Sequence, residues 1–534
     1  MRQLTAREAG LLGADTSRAN ANISLLHIFD QATAAGGVVR FKSILAHVER
    51  RLQRLPLLRQ RLQQVPLGLG LPYWVDDAHF DLEYHVRHIA LPKPGDWRQC
   101  CIQVARIHAR ALDLGRPSWE AYVIEGLDSF LDLAPGSFAL LFKTHQAAVD
   151  LQQLSPLSAL LLDDDAKPPP DGPAAPWFAD SAAGSLGMLA RGLTQTLAHP
   201  AAAPLWLARP LAAAVRRAAP AASALASDWL LRPAAQRVTR FNSVLSPHRV
   251  FETRRFTEAE FAAVCTLVPG ATVDEAVAAV CGGALRRYLD RQGELPEGQS
   301  LVAVQPVFGA LGSQADAGVP AWRQVLLGSH IADPLQRLQA VHTQAGQPLA
   351  PALALPWRRR LANQASVLLG LPAAAGHCSL TLLPAPSAPL YLCGARMGYF
   401  SALLPVMDGL GLAFAVTRYD GRVIISPTAC RELLPDPDAL ALCLRDSFQD
   451  YLALAQHAAT AAAGMAATPA TRARKRSPLS RSPSPSPSPS PSPSPSPSNP
   501  NPRRTSPRRT SPRRTSLRRT SKRGPRSSGS QTLG

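Results

Sequence analysis

No run of about 20 apolar residues goes unbroken in the 534-residue chain, so no membrane-spanning helix is expected. The most membrane-like stretch, Leu197 to Leu231, is interrupted by Pro200, Pro204, Pro210 and Pro220 and by Arg209, Arg216 and Arg217. It leaves open only an amphipathic helix lying on a membrane surface. The eight cysteines form no Cys-x-x-Cys pair, which argues against a zinc ribbon or a thioredoxin-type redox motif and for buried, reduced thiols. Met1-Arg-Gln-Leu-Thr-Ala-Arg-Glu lacks the apolar core of a secretion signal, so a cytoplasmic protein is expected. P-loop, dinucleotide fingerprint and metal-ligand spacing are also missing, so no metal or resident cofactor is expected.

Acidic residues are missing from one region only. Residues 461–534 hold 16 Lys and Arg and no Asp or Glu. Taking those 16 from the 57 basic residues leaves 41 against 38 acidic ones, so the body carries +3 of the chain's +19. A general nucleic-acid surface is therefore not implied for the body. The tail repeats Ser-Pro up to Ser498 and Arg-Arg-Thr-Ser four times from Arg503 to Ser521. Such a composition builds no core and is expected to be disordered. Its charge would attract polyanions, including an anionic membrane or lipid-body surface.

Apolar residues make up 46% of the chain, enough for more than one core. Residues 23–30 read as a strand, 40–64 as a basic amphipathic helix, and 80–91 as an alternating strand. A helix from Trp97 to Leu112 and a strand from Trp119 to Ile124 follow. The run Phe138-Ala-Leu-Leu-Phe-Lys-Thr-His145 reads as a fully buried strand that ends on a polar cluster: His145, Gln146 and Asp150. The end of a buried strand is where α/β folds place their chemistry. A helical pattern then runs to Leu161. Residues 163–241, rich in Ala and Pro, read as a crossover. Beyond it, 249–256 suits a strand. Thr257 and Glu260 form a capping pair for the next helix. A long helix covers Val273 to Arg291. Strands are expected at 301–305, 379–383, 412–417 and 422–426, with helices at 333–344 and 436–454. The domains are thus 1–162, 163–241, 242–460 and a tail, 461–534.

In this order the chain resembles the bacterial wax ester synthase/diacylglycerol acyltransferase family over roughly residues 1–455. The resemblance rests on Trp74 to His88 with Leu91-Pro-Lys-Pro-Gly95, on Arg116-Pro-Ser-Trp119-Glu, and on Val280-Cys-Gly-Gly-Ala-Leu-Arg-Arg-Tyr288. Further on it rests on Pro389-Leu-Tyr391-Leu, Asp408-Gly-Leu-Gly-Leu412 and Tyr419-Asp-Gly. The family implies two chloramphenicol-acetyltransferase-like α/β domains joined by a crossover, with a channel between them. It implies acyl transfer from acyl-CoA, a co-substrate, to diacylglycerol or a long-chain alcohol. Its centre is His-His-x-x-x-Asp-Gly, with the second His as general base.

Here the centre reads His145-Gln146-Ala-Ala-Val-Asp150-Leu151. Gln has no titratable group and cannot act as a general base. Three other signatures are altered: Asp274-Glu275 replaces an Asn-Asp pair, Thr381 to Pro386 replaces a Ser-Asn-Val-Pro-Gly-Pro turn, and Ala413 replaces an Asn. The catalytic candidates are His145, Gln146 and Asp150, with His145 either a substitute base or a structural residue. The resemblance makes Asp274, Glu275, Asp408 and Gly409 the substrate-binding candidates. Two functions are left open: an O-acyltransferase, or an inactive homologue that binds lipid or acyl-CoA at a membrane or lipid-body surface.

Overall fold

A computed structural model describes residues 1–66, 70–129, 134–167, 239–306, 322–345, 376–384 and 388–466, with Pro386 and short pieces between 177 and 190. All of these lie in one compact unit, 1–468. Most of the expected crossover, and the tail beyond 466, fall outside the described residues.

In the first half, β1 (Arg2–Gln3) precedes α1 (Ala6–Ala14) and β2 (Asn22–Asp30). Helix α2 covers Phe41–Arg51 and not the expected 40–64. Pro56 is the reason: it has no N–H to give a helix and restricts Leu55, which sits at φ −130°. The chain continues in 3-10 turns and then strand β3 (Gln60–Gln63), which pairs with β4 (Tyr73–Asp76). Residues 80–91 are not strand throughout. Asp81 accepts from the N–H of Glu83 and caps a helical turn, α3 (Leu82–His85), before β5 (Val86–Ala90). Helix α4 (Trp97–Ala109), β6 (Trp119–Leu127) and β7 (Ser137–His145) follow, then α5 (Leu154–Leu161).

Every residue of β7 is buried, because both its faces are covered. Phe138, Leu140 and Phe142 pack with Ile44 and Val48 of α2 and Leu154 and Leu157 of α5. Ala139 and Leu141, on the other face, pack with Val104 and Ile107 of α4.

The second half begins with β8 (Arg249–Phe251) and β9 (Arg254–Thr257), where one strand was expected. Glu252 makes the break: its buried carboxylate accepts from the N–H of Thr253 at 2.9 Å and from Trp97 Nε1 of α4 at 2.6 Å. Helix α6 (Glu258–Cys265) carries the expected Thr257/Glu260 capping box. Helix α7 spans Val273–Arg291, as its apolar face predicts. Then come β10 (Val302–Pro306), β11 (Trp322–Leu326), α8 (Pro334–Ala345), β12 (Cys378–Leu382), β13 (Tyr391–Leu392), β14 (Ala395–Leu403), β15 (Leu412–Tyr419) and β16 (Arg422–Cys430). Helix α9, Pro437–Ala466, runs twelve residues past the expected end at 454.

The second sheet has the order β11-β10-β12-β15-β16-β8, and its strands β10, β12 and β15 are parallel. The first sheet has the order β13-β14-β2-β7-β6-β5. It therefore includes a hairpin from beyond residue 390: β14 lies antiparallel to β2, from Arg396 opposite Asp30 to Leu403 opposite Ser24. Ile424 and Phe251 of the second half also pack into the cluster under α4. The fold is of the expected class, two α/β halves, with a strand exchanged between them. No helix among the described residues is long and apolar enough to cross a membrane.

Candidate active site

Strand β7 delivers the polar cluster to its carboxyl end, opposite the start of β2, where Asn22 faces His145. Beyond it the chain turns. The amides of Ala148 and Val149 both donate to the carbonyl of His145, at 2.9 and 3.1 Å. Gln146 donates its own N–H to the carbonyl of Ala21 at 3.0 Å.

His145 is wholly buried. Its Nδ1 accepts from the N–H of Ala147 at 3.1 Å, and its Nε2 lies 3.1 Å from Asp15 Oδ2. An amide can only donate, so Nδ1 must be the unprotonated nitrogen, and Nε2–H donates to Asp15. Both nitrogens are committed to holding the turn, and neither is left to take a proton from an acceptor hydroxyl. Asp15 also accepts from the N–H of Ala21 through Oδ1, at 2.8 Å. One carboxylate thus ties the segment 15–21 to the turn.

The Gln146 side chain is half-buried and has no hydrogen-bond partner among the described residues. Asp150 caps the turn that follows. Its Oδ1 accepts from the N–H of Leu151 at 2.7 Å, and Gln153 returns a bond to the Asp150 N–H at 3.2 Å. Asp150 therefore holds the turn in place.

Lys143, two residues before His145, is fully buried on the same strand face. Its Nζ donates to the carbonyls of Ile107 and Arg110, at 3.0 and 2.5 Å, and lies 3.7 Å from Glu120. Burial lowers its pKa to about 8, with Glu120 opposing the shift. Its charge rests on the carboxyl end of α4, where carbonyls lack helical partners. Nearby His108, 2.9 Å from Ser24 Oγ, is pushed down to about 3 by burial, then by Lys143.

The four substrate-binding candidates separate. Asp274 faces an open cavity of about 900 Å³. Burial raises its carboxyl pKa, with Arg418 and Arg323 opposing. Glu275, its neighbour, turns away. It closes the capping box with Thr272 and meets His342 Nδ1 at 2.8 Å. Asp408 accepts from the N–H of Leu245 at 2.8 Å and from Arg18 Nη2 at 2.9 Å. Gly409 has φ +83°, and its carbonyl accepts from Asn242 Nδ2 at 3.0 Å. Asp408 therefore pins a turn of the second half to the N-terminal segment, Gly409 ties that turn to Asn242, and neither lines the cavity.

The cavity wall includes Gln152 from the loop after Gln146, and Leu382, Leu383 and Pro384 from the altered turn. Asp15, Arg18 and Gln152 are absent from the expectations. No local motif marks Asp15, which meets His145 across 130 residues of chain.

The two sheets, with a polar cluster at the carboxyl end of β7, define a two-part α/β fold. Comparison with known proteins makes the class specific. The family model of the wax ester synthase/diacylglycerol acyltransferase catalytic domain matches residues 4–277, and that of the WS/DGAT C-terminal domain matches 322–451. A Mycobacterium tuberculosis protein named provisionally as a diacylglycerol O-acyltransferase is 29% identical over 465 residues, covering 82% of this chain and 87% of that protein. A second from the same organism is 31% identical over 428 residues, covering 72% and 84%. The wax ester synthase/diacylglycerol acyltransferase of Marinobacter aquaeolei VT8 superposes with a TM-score of 0.61 at 25% identity, over 85% of this chain and all of that one. The chain belongs to the wax ester synthase/diacylglycerol acyltransferase family.

Proposed function

We propose that this chain transfers a fatty acyl group from acyl-CoA to diacylglycerol or a long-chain alcohol, without a titratable base at position 146. Family membership supports the reaction class. The observation that carries the second clause is the turn at the end of β7. It keeps its anchors, Asp15 to His145 and Asp150 to Leu151, while position 146 holds a free amide.

In such a site the acceptor oxygen attacks the thioester carbonyl carbon, the C–S bond breaks, and the hydroxyl proton ends on the departing CoA thiol. Gln146 can orient the hydroxyl through its Oε1, or donate from Nε2 to the developing oxyanion. Holding the two reactants together supplies the larger share of the acceleration. A positioned base contributes roughly 10²–10⁴-fold, so a slow enzyme is expected. His145 and Asp150 are positioning residues in this account.

The second reading, a homologue that binds lipid or acyl-CoA without turnover, is favoured by Gln146 alone. Acyl transfer from palmitoyl-CoA to hexadecanol and to dioleoylglycerol separates the two. The parent is expected to turn over slowly, and Gln146→His to be at least about tenfold faster. No transfer by either protein would overturn the enzyme reading.

A cytoplasmic place with peripheral contact to anionic lipid is proposed for the 16 cations of residues 461–534. Sedimentation with phosphatidylglycerol vesicles should fall when these residues are removed. Equal sedimentation would overturn it.

A further inference from the structure

Residues 15–21, between α1 and β2, form a loop that is closed on itself. Thr16 Oγ1 accepts from the N–H groups of Arg18 and Ala19, at 3.2 and 2.9 Å, and the N–H of Thr16 donates to the carbonyl of Ala19 at 2.7 Å. Asp15 Oδ1 closes the loop at the N–H of Ala21. Asn20 Nδ2 fastens it to the end of α4, donating to the carbonyl of Ala109 at 3.1 Å. A loop with its own hydrogen bonds carries a displacement from one side to the other instead of absorbing it.

This loop touches both halves of the chain. On the first-half side, Asp15 holds the His145 ring, and the carbonyl of Ala21 accepts from the N–H of Gln146. On the second-half side, Arg18 Nη2 donates to Asp408 Oδ2 at 2.9 Å, and the carbonyl of Arg18 accepts from Arg249 Nη2 of β8. The side chains of Arg18 and Asp408 are 37% and 38% exposed, so solvent screens their charges and the pair adds little to stability. Rate is far more sensitive to such a bond, since a shift of about 1 Å at a reacting group can cost about 10²-fold.

Resting on the acyl-transfer reading, we propose that Arg18 is a positioning residue for Gln146. It ties the loop to the Asp408 turn, and the loop sets the turn after β7 through Asp15 and Ala21. The site is then aligned only when the two halves are in register. Arg18 itself touches no substrate.

The test is hydrogen–deuterium exchange by the full chain, read beside initial rates with palmitoyl-CoA and an acceptor. The amides of Gln146, Ala148 and Val149 report the turn and need no turnover. Arg18→Ala should speed their exchange about tenfold and leave the urea midpoint in place. It should lower kcat about tenfold, with both KM values within about twofold, and Arg18→Lys should restore most of the loss. In an Asp15→Asn background, Arg18→Ala should cost less than about threefold, because the two changes cut the same route. Exchange or kcat unmoved by Arg18→Ala would overturn the proposal. So would a KM raised about tenfold at constant kcat, which would place Arg18 on a substrate. Full additivity with Asp15→Asn, or faster exchange throughout the fold with a lower urea midpoint, would also overturn it. In a parent that does not turn over, the exchange result alone decides whether Arg18 sets the turn, and only the transfer reading fails.

Discussion

At the residue scale, commitment of hydrogen bonds decides roles more sharply than residue type does. His145 is the only titratable side chain of the motif besides Asp150, and its ring is fully occupied by Ala147 and Asp15. Asp15→Asn keeps the size but weakens a charge-assisted acceptor. It should lower kcat more than it raises the acceptor KM, since it loosens the turn and touches no substrate. Unchanged kinetics in Asp15→Asn would show that the turn does not depend on this bond.

A second residue, Asp163, is buried with Arg51, its ion-pair partner, and lies 3.7 Å from His47. Its backbone exchanges two hydrogen bonds with Tyr391, at 2.9 and 2.8 Å. In sequence it is the first residue of the expected crossover, yet it clamps α2 to the exchanged hairpin. Asp163→Ala leaves the Arg51 guanidinium buried and unpaired and should cost about 3–5 kcal/mol, read from urea unfolding. A loss below about 1 kcal/mol would mean that Arg51 finds water instead.

At the element scale, the helices with clear caps and the buried strands were legible. Val273–Arg291 and the Thr257/Glu260 box follow from periodicity and capping chemistry, which are local. Strand β14 was not legible. Its sequence, Ala-Arg-Met-Gly-Tyr-Phe-Ser-Ala-Leu, carries a glycine at the bulge between Met397 and Tyr399, and its partner β2 lies more than 360 residues away. Nor does β8 reveal its early end, because Glu252 needs Trp97 to make burial acceptable. The position of the candidate site was legible from β7 alone; its supports were not, since Asp15, Gln152 and the cavity wall come from distant parts of the chain.

Helix α7 gives a prediction at this scale. A Cβ on Gly282 would run into the carbonyl oxygen of Leu327. Alanine gains about 1 kcal/mol of helix propensity there. Overpacking against backbone, which cannot rotate aside, costs about 1–3 kcal/mol. Gly282→Ala should therefore destabilise, seen as a lower denaturation midpoint; a rise would show that α7 can move away from Leu327.

At the scale of the whole molecule, the two halves share one body through the β14 exchange, the Trp97–Glu252 bond and the Arg18–Asp408 pair. The buried histidines set its acid limit. Burial lowers His27 from 6.5 to about 4 and His108 to about 3, and lowers His47 and His85 as well. The unfolded chain takes up these protons near pH 6.5, whereas the folded chain resists until much lower pH. Between pH 6.5 and about 4 the unfolded state therefore binds more protons, and stability falls as the pH falls. His27 alone contributes roughly 3 kcal/mol across that window. Thermal unfolding between pH 7.5 and 5 should show a falling Tm, and His27→Gln should flatten the slope; a Tm unaffected by pH would contradict the neutral burial of these rings.

The central claim is acyl transfer without a titratable base at position 146. The most direct measurement is kcat/KM against pH, from 6.5 to 9, for the parent, Gln146→His and His145→Ala with palmitoyl-CoA and the preferred acceptor. The account predicts a slow parent whose rate shows no histidine-like limb, and a faster Gln146→His whose rate rises through an apparent pKa near that of imidazole. A parent that already shows that limb, and loses it in His145→Ala, would make His145 the base and contradict the account.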